Sequence, residues 1–529
     1  MKKRFGVMLD CSRNAVMKVE KVKEFVLLLR DMGYNSLMLY TEDTYEMDGE
    51  PYFGYLRGRY TKKELKELDA FCNDVCFELI PCIQTLAHLN QAFKYWAYDD
   101  IKDCHDILLV DEEKTYAFID KMFATAAEVF TSRKIHIGMD EAMFVGLGKH
   151  LAKHGYENRF DIIKRHLDRV ITIAEKYGFD PVMWSDMFFR LANGGEYYPE
   201  KPELVPEAKN AIPKHIAMCY WDYYHNDKDY YADMLRAHKS SEREVWFAGG
   251  AWKWVGFCPS NAKTMSTMFP AMTACKEEGV ENVFITMWGD DGNECQAYSV
   301  LPSLMYIAEV YNGNTDIDSI KQKFKVVVGE DFDEFMALDM SLEGFNKDDL
   351  FVNGSKPMLY SDPFLGLMDV YVAGGEGAVY GRIAEQMSTY KAINGKFRLT
   401  FECAEIFARV LSLKYELGAK TRKFYKTEDK QSLKKLLDDY DKTIGYLEEF
   451  IIRFERLWLD TNKPNGLETQ QIRLGGLKER LSRCRARLNA YLAGEIKAIE
   501  ELDEELIDEN KKRLPYLHRY ADAATVNII

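Results

Sequence analysis

Short apolar runs alternate with longer amphipathic stretches from the N-terminus to about residue 310. Eight of the runs have strand length: Phe5–Leu9, Ser36–Tyr40, Phe77–Gln84, Lys134–Gly138, Pro181–Trp184, His215–Tyr220, Glu244–Ala248 and Val280–Trp288. Between them, segments such as 19–34, 61–76 and 162–178 repeat apolar residues every three or four positions, the mark of a helix with one buried face. The last of these ends on Gly178, a residue suited to the left-handed turn that closes a helix. Eight strands alternating with helices predict an α/β fold, a (β/α)8 TIM barrel over residues 1–314. From "IDSIKQKF" onward the alternation stops. Segments 401–425, 434–459 and 474–506 carry helical periodicity and opposed charges, so 315–529 is predicted to be a mainly α-helical C-terminal domain. The stretch "VAGGEGAVYG" (372–381) reads as a glycine-rich loop without the strand–helix context of a phosphate cradle.

Composition narrows the partners. A formal charge of −15 argues against nucleic acid and against an anionic membrane surface, since both need basic patches. No apolar run is long enough to span a bilayer. The 11 cysteines show no disulfide-like framework and read as free thiols in a reducing compartment, which predicts a cytoplasmic protein. The first apolar run is stopped by Asp10, so no secretion signal is expected. Cys72 and Cys76 lie one helical turn apart, but no further Cys/His pair completes a metal site, and neither metal nor cofactor is expected. Seven of the eight tryptophans fall before residue 290, and flat rings suit the apolar faces of sugars.

The candidate chemistry sits just after the strands. Asp10 and Arg13 follow the first; Glu42 and Asp43 the second; Gln84 and His88 the third; Asp140 and Glu141 the fourth; Asp186 the fifth; Trp221 and Asp222 the sixth; Asp290 and Asp291 the eighth. In a barrel these positions converge on one face, where active sites are built. Adjacent acids most often start a helix, where they suit its dipole. At the end of a barrel strand they can also enter one cavity at different heights. One carboxylate then holds a substrate group, while a protonated neighbour serves as general acid.

"HIGMDEA" (136–142) resembles the "H-x-G-G-D-E" signature of glycoside hydrolase family 20, the β-N-acetylhexosaminidases, with Met139 in place of the second glycine. "GVMLDCSR" (6–13), "IPCIQTLAHLNQAFKYW" (80–96), "VMWSDMF" (182–188) and "FITMWGDD" (284–291) resemble further family segments, in family order. The resemblance implies a retaining, exo-acting enzyme that removes terminal β-linked GlcNAc, and GalNAc as a further candidate. The 2-acetamido oxygen of the substrate itself attacks the anomeric carbon to give an oxazolinium ion. It further implies that Asp140 orients the acetamido group and Glu141 protonates the leaving oxygen. His88, with Glu42 and Asp43, would form a supporting relay. Trp184 and Trp288 would wall the sugar site, and Asp290 would bind sugar hydroxyls. The family arginine on the first strand has no direct match: Phe5 holds its place, Arg4 is one position off, and Arg13 is the candidate substitute. The family tyrosine that holds the acetamido carbonyl is matched to Tyr220 with Asp222, and Trp252 is a further lining candidate. Two other readings stay open. One is a β-glycosidase with a protein nucleophile such as Asp186 or Asp290; the other is a non-catalytic sugar-binding barrel. The expected partner is a small carbohydrate, with homo-oligomerisation left open.

Overall fold

Val7, Leu9, Leu37, Leu39, Ile80 and Ile285 are fully or almost fully buried, as expected of strands covered on both faces. In the computed structural model, which describes residues 3–254, 256–340, 354–507 and 519–527, eight such strands close into a parallel barrel in chain order. They are β1 (Arg4–Asp10), β2 (Ser36–Tyr40), β3 (Glu78–Cys82), β4 (Lys134–His136), β5 (Asp180–Trp184), β6 (Ala217–Trp221), β7 (Val245–Gly250) and β8 (Asn282–Met287). β1 pairs with β8, Gly6 opposite Phe284, and closes the ring. The expected (β/α)8 barrel and the helical C-terminal region are both present.

Strand alternation sorts the side chains. Phe5 stacks on Tyr34 and Tyr311 in the outer layer, with centroids 4.4 and 4.2 Å away. Its neighbour Arg4 takes the opposite face and donates through Nε to Glu78, 3.0 Å away at the start of β3. Arg4 therefore belongs to the N-terminal end of the barrel, remote from the strand ends that carry the candidate chemistry.

The chain divides into two units. The first comprises residues 1–251, 264–288 and 304–316; the second comprises 252–263, 289–303 and 317–529. The second unit is dominated by three long helices, Arg398–Lys426, Lys430–Thr461 and Leu467–Ala493. The run expected to stay helical through residue 506 is broken at Gly494, whose φ of 76° ends the helix; a short helix Glu500–Asp503 follows. The expected loop at 372–381 is a loop only to Gly375. A helix, Glu376–Met387, begins there, and Glu416 accepts the backbone N–H groups of Gly375 and Gly377.

Candidate active site

β4 is only three residues long, and the chain after it turns sharply. Gly138, Met139 and Glu141 all have positive φ, at 71°, 74° and 53°. Across the neighbouring strand ends, Glu42 and His88 do as well, at 45° and 58°. Left-handed backbone costs a non-glycine residue about 1–2 kcal/mol, and such strain gathers at functional sites. The turn lets two consecutive acids diverge. Asp140 is buried and Glu141 is half exposed.

Asp140 is held on two sides. Gln84, fully buried after β3, donates from Nε2 to Asp140 Oδ1 at 2.9 Å. His88 Nε2 lies 3.1 Å from Asp140 Oδ2 and 3.7 Å from Glu141 Oε2. Burial works against both charges, but each outweighs that effect for the other. Asp140 and, to a lesser extent, Glu42 lift the imidazole to about 10, while His88 and the Gln84 amide bring the Asp140 carboxyl below its usual range. The electrostatics of the site therefore favour an ionised Asp140 beside a protonated His88. Gln84 also accepts the backbone N–H of Met139 at 3.2 Å and donates to the Tyr40 hydroxyl at 2.9 Å. Tyr40 in turn donates to Glu42 Oε1 at 3.0 Å.

Glu42 thus joins this network through Tyr40, and it pairs with Arg13 at 3.1 Å. Among the described residues no hydrogen bond runs from His88 to Glu42 or Asp43. Asp43 turns away and pairs with Arg57 at 3.1 Å. Burial raises both carboxyls, more than Arg13 and Arg57 lower them.

Trp184, at the end of β5, is buried against His136, whose ring is 4.2 Å away. The Trp184 Nε1 has no hydrogen-bond partner among the described residues. Burial lowers His136 to about 3, so it is a neutral packing residue. Trp288 follows β8, 6.1 Å from Trp184 and edge-on to Tyr40 at 4.8 Å.

Tyr220 is misplaced by the sequence reading. Its ring packs in the outer layer against His238 and Phe247, with centroids 4.9 and 5.4 Å away. Alternation along β6 sends Trp221 the other way, and Trp221 stacks on Tyr223. Tyr223, which the sequence reading missed, accepts a hydrogen bond from Trp288 Nε1 at 3.1 Å. Asp222 is fully buried and closes its own loop. It accepts from the Tyr220 hydroxyl and His225 Nδ1, both at 2.7 Å, and from the Tyr224 N–H at 2.9 Å. Both residues are fully buried, and the Tyr220 hydroxyl is spent on Asp222. Trp252 and Asp290 belong to the second unit, where Trp252 stacks on Trp254 at 4.2 Å and Asp290 opens a short turn, Asp290–Gly292.

Asp186, the candidate nucleophile of the alternative reading, is fully buried. Its Oδ2 accepts from the Glu141 N–H at 3.0 Å and from Arg190 Nε at 3.1 Å. A carboxylate so enclosed is poorly placed to attack an anomeric carbon.

Comparison with known proteins gives a consistent picture. Residues 4–282 match the glycosyl hydrolase family 20 catalytic domain, and residues 333–518 match the Glycoside Hydrolase 20C C-terminal domain. Hexosaminidase D from Homo sapiens is 24% identical over 220 residues, covering 40% of this chain and 43% of that protein. Hexosaminidase D from Bos taurus is 23% identical over 259 residues, covering 46% of this chain and 68% of that protein. A solved exo β-N-acetylglucosaminidase from Vibrio harveyi is 15% identical with a TM-score of 0.46, over 64% of this chain and 59% of that one. With the catalytic-domain match spanning more than half its length, the chain belongs to glycosyl hydrolase family 20.

Proposed function

We propose that this chain is an exo-acting, retaining β-N-acetylhexosaminidase that releases terminal β-linked GlcNAc, and GalNAc where the pocket admits it, by substrate-assisted catalysis. The observation that carries the reading is the divergence of Asp140 and Glu141: one carboxylate buried and kept charged, the next half exposed within reach of the same histidine. A fixed anion suits an acetamido N–H that gains positive charge as its carbonyl oxygen attacks C1. A carboxyl open to solvent suits a group that must protonate a leaving oxygen and then deprotonate water. Intramolecular attack makes a protein nucleophile unnecessary, and the enclosure of Asp186 fits that economy.

In this reading Trp184 and Trp288 form the walls of the sugar site, with the Trp184 Nε1 as a donor to the substrate. The Tyr223 hydroxyl, rather than that of Tyr220, takes the acetamido carbonyl. Arg13 beside Glu42 is the cation for the sugar's outer hydroxyls. The cytoplasmic placement expected from the cysteines belongs to the same proposal.

The test is release of p-nitrophenol from its β-GlcNAc glycoside. Glu141→Gln should reduce kcat by at least ~10²-fold, the usual scale of a lost general acid. Asp140→Asn should fall comparably, and a thiazoline mimic of the oxazolinium ion should inhibit competitively. A Glu141→Gln enzyme with near wild-type turnover would falsify the assignment.

A further inference from the structure

Two charged residues next to Glu141 have no part in the roles above. Asp186 and Arg190 stand one turn apart on the helix Asp186–Ala192, directly after β5. We propose that they form a brace that positions Glu141 as proton donor; the inference rests on the role given to Glu141 above.

The brace grips Glu141 at both ends. Asp186 Oδ2 accepts the Glu141 backbone N–H at 3.0 Å, at a residue whose φ of 53° needs an external hold. Arg190 NH2 lies 3.5 Å from Glu141 Oε1, while His88 Nε2 faces the other oxygen at 3.7 Å. Each oxygen of the side-chain carboxyl thus faces one basic group.

Arg190 is itself fixed. Its Nε donates to Asp186 Oδ2 at 3.1 Å and its NH1 to the Gly195 carbonyl at 3.1 Å. The guanidinium carbon lies 5.7 Å from the ring centre of Tyr197 and 5.9 Å from that of Trp221. A planar group held by two hydrogen bonds and two rings has little freedom to swing away. Asp186 is enclosed as well. Burial, aided by the Asp140 charge, pushes its carboxyl up to about 7, and its Oδ1 has no partner among the described residues. An acid misplaced by about 1 Å can lose ~10²-fold in rate, so the geometry that holds Glu141 has catalytic weight.

Leaving-group dependence tests the brace, because only a poor leaving group needs the acid. The substrates are N,N′-diacetylchitobiose and 2,4-dinitrophenyl β-GlcNAc, assayed with Asp186→Asn, Arg190→Met and Arg190→Lys. Both Asp186→Asn and Arg190→Met should lower kcat on chitobiose by about tenfold to a hundredfold at nearly constant KM. Their kcat/KM on the dinitrophenyl glycoside, which reports only the steps up to departure of the leaving group, should stay within about threefold of wild type, and Arg190→Lys should recover part of the loss on chitobiose, since a cation can be kept without the fork. Equal losses of kcat/KM on both substrates, or a raised KM with kcat unchanged, would overturn the brace and assign Arg190 to general folding or to sugar binding. Arg190→Lys preserves the charge and guards against a fold defect in Arg190→Met, and circular dichroism checks both. If Glu141→Gln shows the leaving-group-selective loss and the brace variants do not, the brace alone fails. If wild type cleaves neither substrate, the functional reading fails with it.

Discussion

Met139 occupies a position where glycine would be at ease. Its φ is 74° and its side chain is buried. Truncation removes packing in either case, but only glycine also relieves the backbone, by about 1 kcal/mol. Met139→Gly should therefore be at least as stable as Met139→Ala in urea unfolding, the reverse of the usual order; a clearly less stable glycine variant would contradict the strain. Gly138 next door is fixed by close approach. A Cβ there would lie 1.9 Å from Gln84 Oε1, so Gly138→Ala should push Gln84 off Asp140 and depress kcat far more than it depresses stability. His88 has a pH signature. Its value rises from 6.5 to about 10 on folding, against burial, because of Asp140. A group raised on folding adds stability that is complete below its unfolded value and is lost as pH climbs through the folded one. Unfolding free energy should decline between about pH 6.5 and 10, and His88→Gln should flatten that decline. An unchanged slope in the variant would refute the pairing.

Strand alternation decides which face of the barrel each aromatic residue on β6 takes. Tyr220 faces the helices and gives its hydroxyl to Asp222, whereas Trp221 stacks on Tyr223, whose hydroxyl accepts from Trp288. Tyr220→Phe should cost about 1–3 kcal/mol through the lost hydrogen bond to a charged acceptor, with KM unchanged. Tyr223→Phe should raise KM for GlcNAc glycosides with a smaller effect on thermal stability. The opposite pattern would restore Tyr220 to the site. Much of this level was legible from the chain alone. Eight apolar runs at barrel spacing located all eight strands, and Gly178 was read correctly as a helix end, with φ 71°. The limits were physical. Alternation is firm inside a strand, but the predicted run ended at Tyr220 whereas β6 continues to Trp221, so Tyr220 was taken for a strand-end residue when it lies inside the strand and faces the helices. Gln84 was noted as a polar strand-end residue without a role, because an amide carries no charge and its importance comes only from a partner 56 residues away. Asp186 and Arg190 offered an i, i+4 pair, which usually reads as ordinary helix surface.

At the scale of the molecule, residues 289–303, shortly after β8, belong to the helical unit rather than to the barrel that precedes them. Within that unit Lys356 is fully buried and pairs with Asp291 at 2.7 Å and Glu294 at 2.8 Å. Arg473 adds a second cation, 3.2 Å from Asp291. Removing one partner of a buried ion pair costs about 3–5 kcal/mol, because the other charge is left in a poor solvent. A fragment ending at residue 314 keeps Asp291 and Glu294 but lacks Lys356 and Arg473. It should be markedly less stable than the whole chain, and Lys356→Met should lower Tm on its own; a 1–314 fragment as stable as the full chain would contradict this. The central claim concerns the pair after β4, where a charged Asp140 steers an acetamido group onto the sugar's own C1 while Glu141 handles the proton. The most direct measurement is kcat/KM for p-nitrophenyl β-GlcNAc against p-nitrophenyl β-glucoside, which differ at C2 alone in having or lacking the internal nucleophile. The account predicts a preference for the N-acetyl sugar of at least ~10³-fold, well within the effective molarity of a held neighbour. Comparable rates on the two sugars would contradict it.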